Sequence, residues 1–163
     1  MFERKIMKDL VSWAKQKKKK ALIIEGARQV GKTFIIREFA TRNYQEKFIE
    51  INFLMNKSYK KIFSGDISFS AIFEKIRILF PLHDFNQKTL LFFDEIQACP
   101  EAITALKSFS EQDYFDLIAS GSLLGVHYNL ATSFPVGYVE RFTLYPLDLE
   151  EFSMALNQDA LFK

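Results

Sequence analysis

Residues 21–33 read ALIIEGARQVGKT, an apolar run that passes directly into G-x-x-x-x-G-K-T. The apolar part, 21–25, predicts a strand. The residues after Gly31 predict a helix from about Lys32 to Thr41, with Phe34, Ile35 and Phe39 as its apolar contacts. That order has a chemical use. A helix leaves its first backbone N–H groups without intrahelical partners, and a loop feeding its N-terminus can hold an anion against them. Gly26 and Gly31 allow tight turning and close approach to phosphate oxygens with no Cβ in the way. Lys32 is read as reaching the β- and γ-phosphates as a point charge, and the Thr33 hydroxyl as facing Mg²⁺. The segment Gly26, Ala27, Arg28, Gln29, Val30, Gly31, Lys32 and Thr33 is the candidate nucleotide-binding loop. A glycine turn before a surface lysine is the competing reading. The strand and helix patterns on either side count against it.

A second motif lies at 89–95, TLLFFDE. Its apolar residues do not alternate, which suits a central strand of a parallel sheet covered on both faces. Carboxylates at the C-terminal end of such a strand stand where open α/β sheets bind ligands. Asp94 is the candidate Mg²⁺ ligand opposite Thr33. Glu95 is the candidate base that polarises a water for attack on the γ-phosphate. An ordinary acidic turn after a core strand is the plain alternative, and the loop at 26–33 tips the balance.

The bulk composition fits an enzyme-sized domain. The chain has 163 residues, 48% hydrophobic and 26% charged, so a packed core is expected. A net charge of +2 is too balanced to argue for a nucleic-acid surface. The 18 phenylalanines fall at core-like positions. Cys99 is the single cysteine, so no internal disulfide forms, and a buried structural thiol is the expectation. No apolar run approaches the ~20 residues that span a bilayer, and the N-terminus lacks a secretory apolar core. A soluble cytoplasmic protein with no membrane contact is expected. His83 and His127 are isolated, with no second ligand at metal spacing. Lys17 to Lys20 read as a solvated connector.

Along the chain, Phe2, Ile6, Leu10 and Trp13 stripe a helix within 2–16. Strands are expected at 47–54 near a sheet edge, at 89–94, at Tyr114 to Ala119 ended by Ser120-Gly121-Ser122, and at Tyr138–Tyr145. Helices are expected over 69–80, stopped by Pro81, then from Pro100, and over 148–156. Residues 57–65 carry no clear pattern. Strands alternating with helices make the class α/β with a parallel sheet. One strand-plus-helix unit between the loop and the DE strand predicts the order 5-1-4-3-2. The organisation expected is an N-terminal helix and basic connector (1–20), a core (21–147), and the start of a helix leading onward (148–163).

GARQVGKT, FFDEIQACPEAITALK, ASGSLLGV and SFPVGYVERFTLYPLDLEEF together resemble the AAA-like P-loop ATPase domain of many bacterial and archaeal ATP-binding proteins. The resemblance covers nearly the whole chain and is most specific in DEIQ and PLDLEEF. It implies a three-layer α/β/α P-loop NTPase fold, ATP and Mg²⁺ as ligands, and hydrolysis that drives or switches a client or a C-terminal domain. It permits self-association, and it assigns any nucleic-acid contact to the C-terminal region. Relatives run longer, into a region likened to a winged helix and a nuclease, so the expectation is an N-terminal module of a longer protein. The resemblance puts the polar sensor on Ser122, with Ser120 the alternative. Many relatives carry Arg or Lys after the glycine matching Gly137, whereas here Tyr138 follows, and Arg141 becomes the weak candidate for an arginine finger. Two other functions stay open. One is a non-catalytic module that nucleotide merely orders. The other is a small-molecule phosphotransferase, against which the lack of an Arg-rich lid segment counts.

Overall fold

A strand that is apolar at every position needs cover on both faces, and each central strand here has it. The computed structural model describes residues 4–122 and 135–156. The strands are β1 Ala21–Glu25, β2 Phe48–Asn52, β3 Leu90–Asp94, β4 Asp116–Gly121 and β5 Val139–Thr143. They form one sheet in the order β2-β3-β4-β1-β5, with every pairing parallel. That is the order expected from the sequence, with β2 at one edge. The helices are α1 Ile6–Ala14, α2 Lys32–Asn43, α3 Phe69–Leu79, α4 Pro100–Gln112 and α5 Leu149–Ala155.

Pleating divides the core into two layers. Successive side chains on a strand point to opposite faces. Leu90 and Phe92 of β3 therefore join Leu10 and Trp13 of α1 and Ile36 and Phe39 of α2. Leu91 and Phe93 join Ile72 and Ile76 of α3 and Leu106 and Phe109 of α4 on the other side. Burying each such side chain contributes about 1.5–3 kcal/mol. Local signals set the helix ends. The Ser68 hydroxyl accepts from Ala71 N at the start of α3, and Pro100 opens α4 where its missing N–H has no helical partner to lose.

Several expectations are corrected in detail. Residues 57–63 form a 3-10 helix capped by Asn56, whose side chain accepts from Ser58 N. β4 begins at Asp116, two residues later than the pattern suggests, because Asp113 takes a left-handed conformation (φ 47°) and turns the chain out of α4. Tyr114 then packs its ring on Phe73 instead of entering the sheet. β4 runs on past Ala119 through Ser120 to Gly121, so of the three expected to end it only Ser122 lies beyond the strand. Phe34 is 66% exposed, so it supplies no core contact: it faces the loop side of α2's first turn. Phe2 and His127 lie outside the described residues. Among the described residues, no helix is long and apolar enough to cross a membrane.

Candidate functional site

The sheet's register assembles a row of polar side chains along one edge. Asn52, the last residue of β2, pairs with Asp94, the last of β3. Phe93 pairs with Ala119, which sets Ser120 beside Asp94. All three point to the face that carries α2, because each stands one position beyond a residue packed on the opposite face: Ile51, Phe93 and Ala119. α2 brings Thr33 to the same place. Asp94 then accepts from Thr33 Oγ1 at 3.0 Å, from Asn52 Nδ2 at 2.9 Å and from the Ser120 hydroxyl. Asp94 is buried, and burial raises its carboxyl above the usual value of 3.8 even though the Ser120 and Thr33 hydrogen bonds pull it down. Its donors are all neutral. Among the described residues, no ion pair includes it.

The loop is shaped by close approach. A Cβ on Gly26 would stand 2.3 Å from the backbone oxygen of Leu144, so only glycine fits between β1 and the end of β5. Gly31 takes φ 93° as the N-cap of α2, and no side chain caps the helix there. Its first-turn N–H groups thus have no side-chain acceptor. Lys32 is buried and donates through Nζ to the carbonyls of Gly26 (3.0 Å) and Ala27 (2.6 Å). Burial lowers its ammonium below the ordinary lysine value, while the Glu95 and Asp94 charges act in the opposite direction. Ala27, Arg28 and Gln29 form the exposed crest of the loop.

Glu95 takes a left-handed backbone (φ 57°), which costs a non-glycine residue about 1–2 kcal/mol. The turn swings its side chain off the strand, where Oε2 accepts from Gln97 Nε2. Glu95 lines a cleft over the loop with Lys32, Thr33, Arg28, Gln29 and Leu54. A groove of about 670 Å³ adjoins it. Arg4, Phe34, Ile35, Pro146 and Leu147 line this groove, and it shares Arg28, Gln29, Gly31 and Phe34 with the cleft.

A model of an AAA domain family matches residues 18–153, so the match takes in the loop, the acidic pair and α5's first residues. The chain belongs to this AAA domain family. Families of this class are nucleotide-binding, ATPase-type modules, and the sheet order of this AAA domain is that of a P-loop NTPase. None of the curated proteins matches the chain.

The AAA domain brings some of the expected residues together and parts others. Lys32, Thr33, Asp94 and Glu95 converge on one cleft edge. Ser120 reaches Asp94, while Ser122 lies buried just past the end of β4. Arg141 stands apart from the loop. Its partner across the β1–β5 ladder is Ile23, whose side chain packs on the face opposite Asp94. The guanidinium is engaged by Glu25 at 2.8 Å. Alternation along β5 is the physical reason Arg141 does not turn toward the 26–33 loop of its own chain. The other chemistry-bearing residues are structural. Cys99 is buried, and burial pushes its thiol up to about 11. His83 Nε2 bonds the Thr89 hydroxyl at 2.8 Å. Asn52 and Arg4 are site residues that the motifs do not reveal.

Proposed function

We propose that the AAA domain binds ATP with Mg²⁺ and hydrolyses it, and that loss of the γ-phosphate switches an attached domain or a protein client. The observation that carries this reading is Asp94: a buried carboxylate served only by neutral donors, beside the Thr33 hydroxyl and an uncapped helix N-terminus. Such a carboxylate has no cation in direct contact among the described residues, and Lys32 acts on it only through space. Mg²⁺ is held by one or two carboxylates together with substrate phosphates and water, so this donor set fits it. Asp94 and Thr33 would hold the ion, which supplies charge neutralisation for the phosphates.

The chain's own residues account for the rest. The N–H groups of the loop and of α2's first turn receive phosphate oxygens. Lys32 exchanges its two loop carbonyls for phosphate. Glu95 accepts the proton of the attacking water, with Gln97 orienting the carboxylate. Ser122 is read as the polar contact to the γ-phosphate or the water. The adjoining groove takes ribose and base against Phe34, Pro146 and Leu147. A cytoplasmic setting and any self-association belong to the same reading.

Titration of the purified chain with Mg·ATP and Mg·GTP, alongside Lys32→Ala and Glu95→Gln, tests it. Lys32→Ala should weaken nucleotide binding about 10- to 100-fold, the value of one or two charge-assisted hydrogen bonds. Glu95→Gln should bind normally and lose about 10²–10⁴-fold in turnover. The engagement of Arg141 by Glu25 favours a second reading, a module that nucleotide orders without hydrolysis. Equal inertness of wild type and Glu95→Gln, with binding intact in both, would select it.

A further inference from the structure

Arg4 lies outside the residues the family model matches, yet it touches three parts of the molecule that surround the loop. Its Nη1 donates to the Val30 carbonyl at 3.1 Å, inside the phosphate loop. Its Nη2 donates to the Tyr145 carbonyl at 2.6 Å, in the segment after β5. Its Nε donates to Glu151 Oε1 at 3.1 Å, on α5. The side chain is only 11% exposed, and the bonds to Val30 and Glu151 are partly buried while the one to Tyr145 lies at the surface. A guanidinium is a rigid planar fork, and three acceptors on three elements fix it in one pose.

Glu151 is equally committed. It is buried, and its Oε1 also accepts from Lys5 N at 2.9 Å, where α1 begins with no side-chain cap of its own. Its Oε2 accepts from Asp148 N and completes the capping box of α5. One carboxylate therefore terminates two helices, and one arginine ties it to the loop. The loop's other end is held by the same segment, through Leu144 N on the Glu25 carbonyl.

We propose that Arg4 is a positioning residue of the phosphate loop, and that through it nucleotide at the loop and the seating of α5 control one another. The second half rests on the nucleotide reading above; the first does not. A ligand that fixes the Val30 carbonyl in the pose Arg4 needs must stabilise α5 by the same free energy with which a seated α5 favours the ligand.

Amide hydrogen exchange separates the two halves. Without nucleotide, Glu151→Gln should speed exchange of the 27–33 amides about 10-fold, although residue 151 touches none of them, with β4 (116–121) unchanged. Unaltered exchange at 27–33 would overturn the positioning role. With saturating Mg·ADP, wild type should slow exchange both at 27–33 and at 145–156. Arg4→Gln should slow it at 27–33 alone. Retained slowing at 145–156 in Arg4→Gln would overturn the coupling. Arg4→Lys keeps the charge and lacks the fork, so it should behave as Arg4→Gln does. A full wild-type response there would also overturn the role, and this variant decides the matter if Arg4→Gln loses protection in β4. Absence of any Mg·ADP effect in wild type would defeat the nucleotide reading, while the Glu151→Gln comparison still decides the positioning role.

Discussion

Two aspartates are buried at opposite ends of the sheet, and they are kept in opposite ways. Asp116, at the start of β4, accepts from the Tyr44 hydroxyl at 2.6 Å and lies 3.4 Å from Lys19 Nζ and 3.5 Å from Lys88 Nζ. Its charge is met by cations of the chain itself. Asp94, at the end of β3, has three neutral donors and no ion pair among the described residues. A buried charge with no cation in contact is costly, and a bound cation would offset that cost. On the function proposed above, the difference separates a structural end of the sheet from the end that takes the ligand.

Asparagine at each position should pull the two ends furthest apart. Asp94→Asn should lower ATP turnover at least ~100-fold while raising the unfolding free energy of the nucleotide-free protein by about 1–2 kcal/mol, because it removes a desolvated charge and keeps an acceptor. Asp116→Asn should do the reverse. It should cost about 1–3 kcal/mol of stability by leaving Tyr44 and the two lysines poorly matched, with turnover per folded molecule unchanged. Chemical denaturation and a steady-state ATPase assay read both. Loss of stability in both variants would erase the distinction.

The sequence shows one of these ends far better than the other. Thr33 and Asp94 sit in short motifs whose spacing carries their chemistry, and the apolar run 90–93 places Asp94 at a strand's end. The strand order was legible because the number of strand-plus-helix units between the two motifs is countable. Asn52 was not. It ends an alternating run on the polar parity, but its place beside Asp94 depends on the β2–β3 register, which no local pattern states. Ser120 and Ser122 share a parity, so alternation alone could not say which of them stands beside Asp94. Arg4 and Glu151 are 147 positions apart, and nothing near either residue announces the other. Phe34 misled for a related reason: helical periodicity predicts a stripe, and the loop side of the first turn is left out of the core by the fold, not by the pattern.

Asn52 allows a finer cut within the ligand end. Its amide donates to Asp94 while its oxygen accepts from Leu54 N and Met55 N, so it fixes the carboxylate and the following turn together. Groups that orient a metal ligand commonly matter 10- to 100-fold for metal affinity. Asn52→Ala should raise the Mg²⁺ concentration for half-maximal ATPase activity about 10-fold, with the saturated rate reduced less. A change in rate with no shift in Mg²⁺ requirement would mean that Asn52 serves the turn alone.

The smallest expected effect is on the pH dependence of stability. Burial raises Asp94 in the folded protein above 3.8, so folding binds its proton more tightly than the unfolded chain does. The contribution of Asp94 is then fully present below about 3.8 and is lost as pH rises through the elevated value. Glu151 runs the other way. Burial pushes its carboxyl up, but donation from Lys5 N, Asp148 N and the Arg4 guanidinium outweighs burial and holds it below 4.5. Its contribution is present above about 4.5 and is lost as pH falls through the lowered value. Asp94→Asn should therefore remove a decline in stability on the alkaline side of 3.8, and Glu151→Gln a decline on the acid side of 4.5, in denaturant titrations across pH 3–7. Mg·ADP should flatten the Asp94 slope and leave the Glu151 slope in place, because the bound cation would face Asp94 while Glu151 is already paired with Arg4.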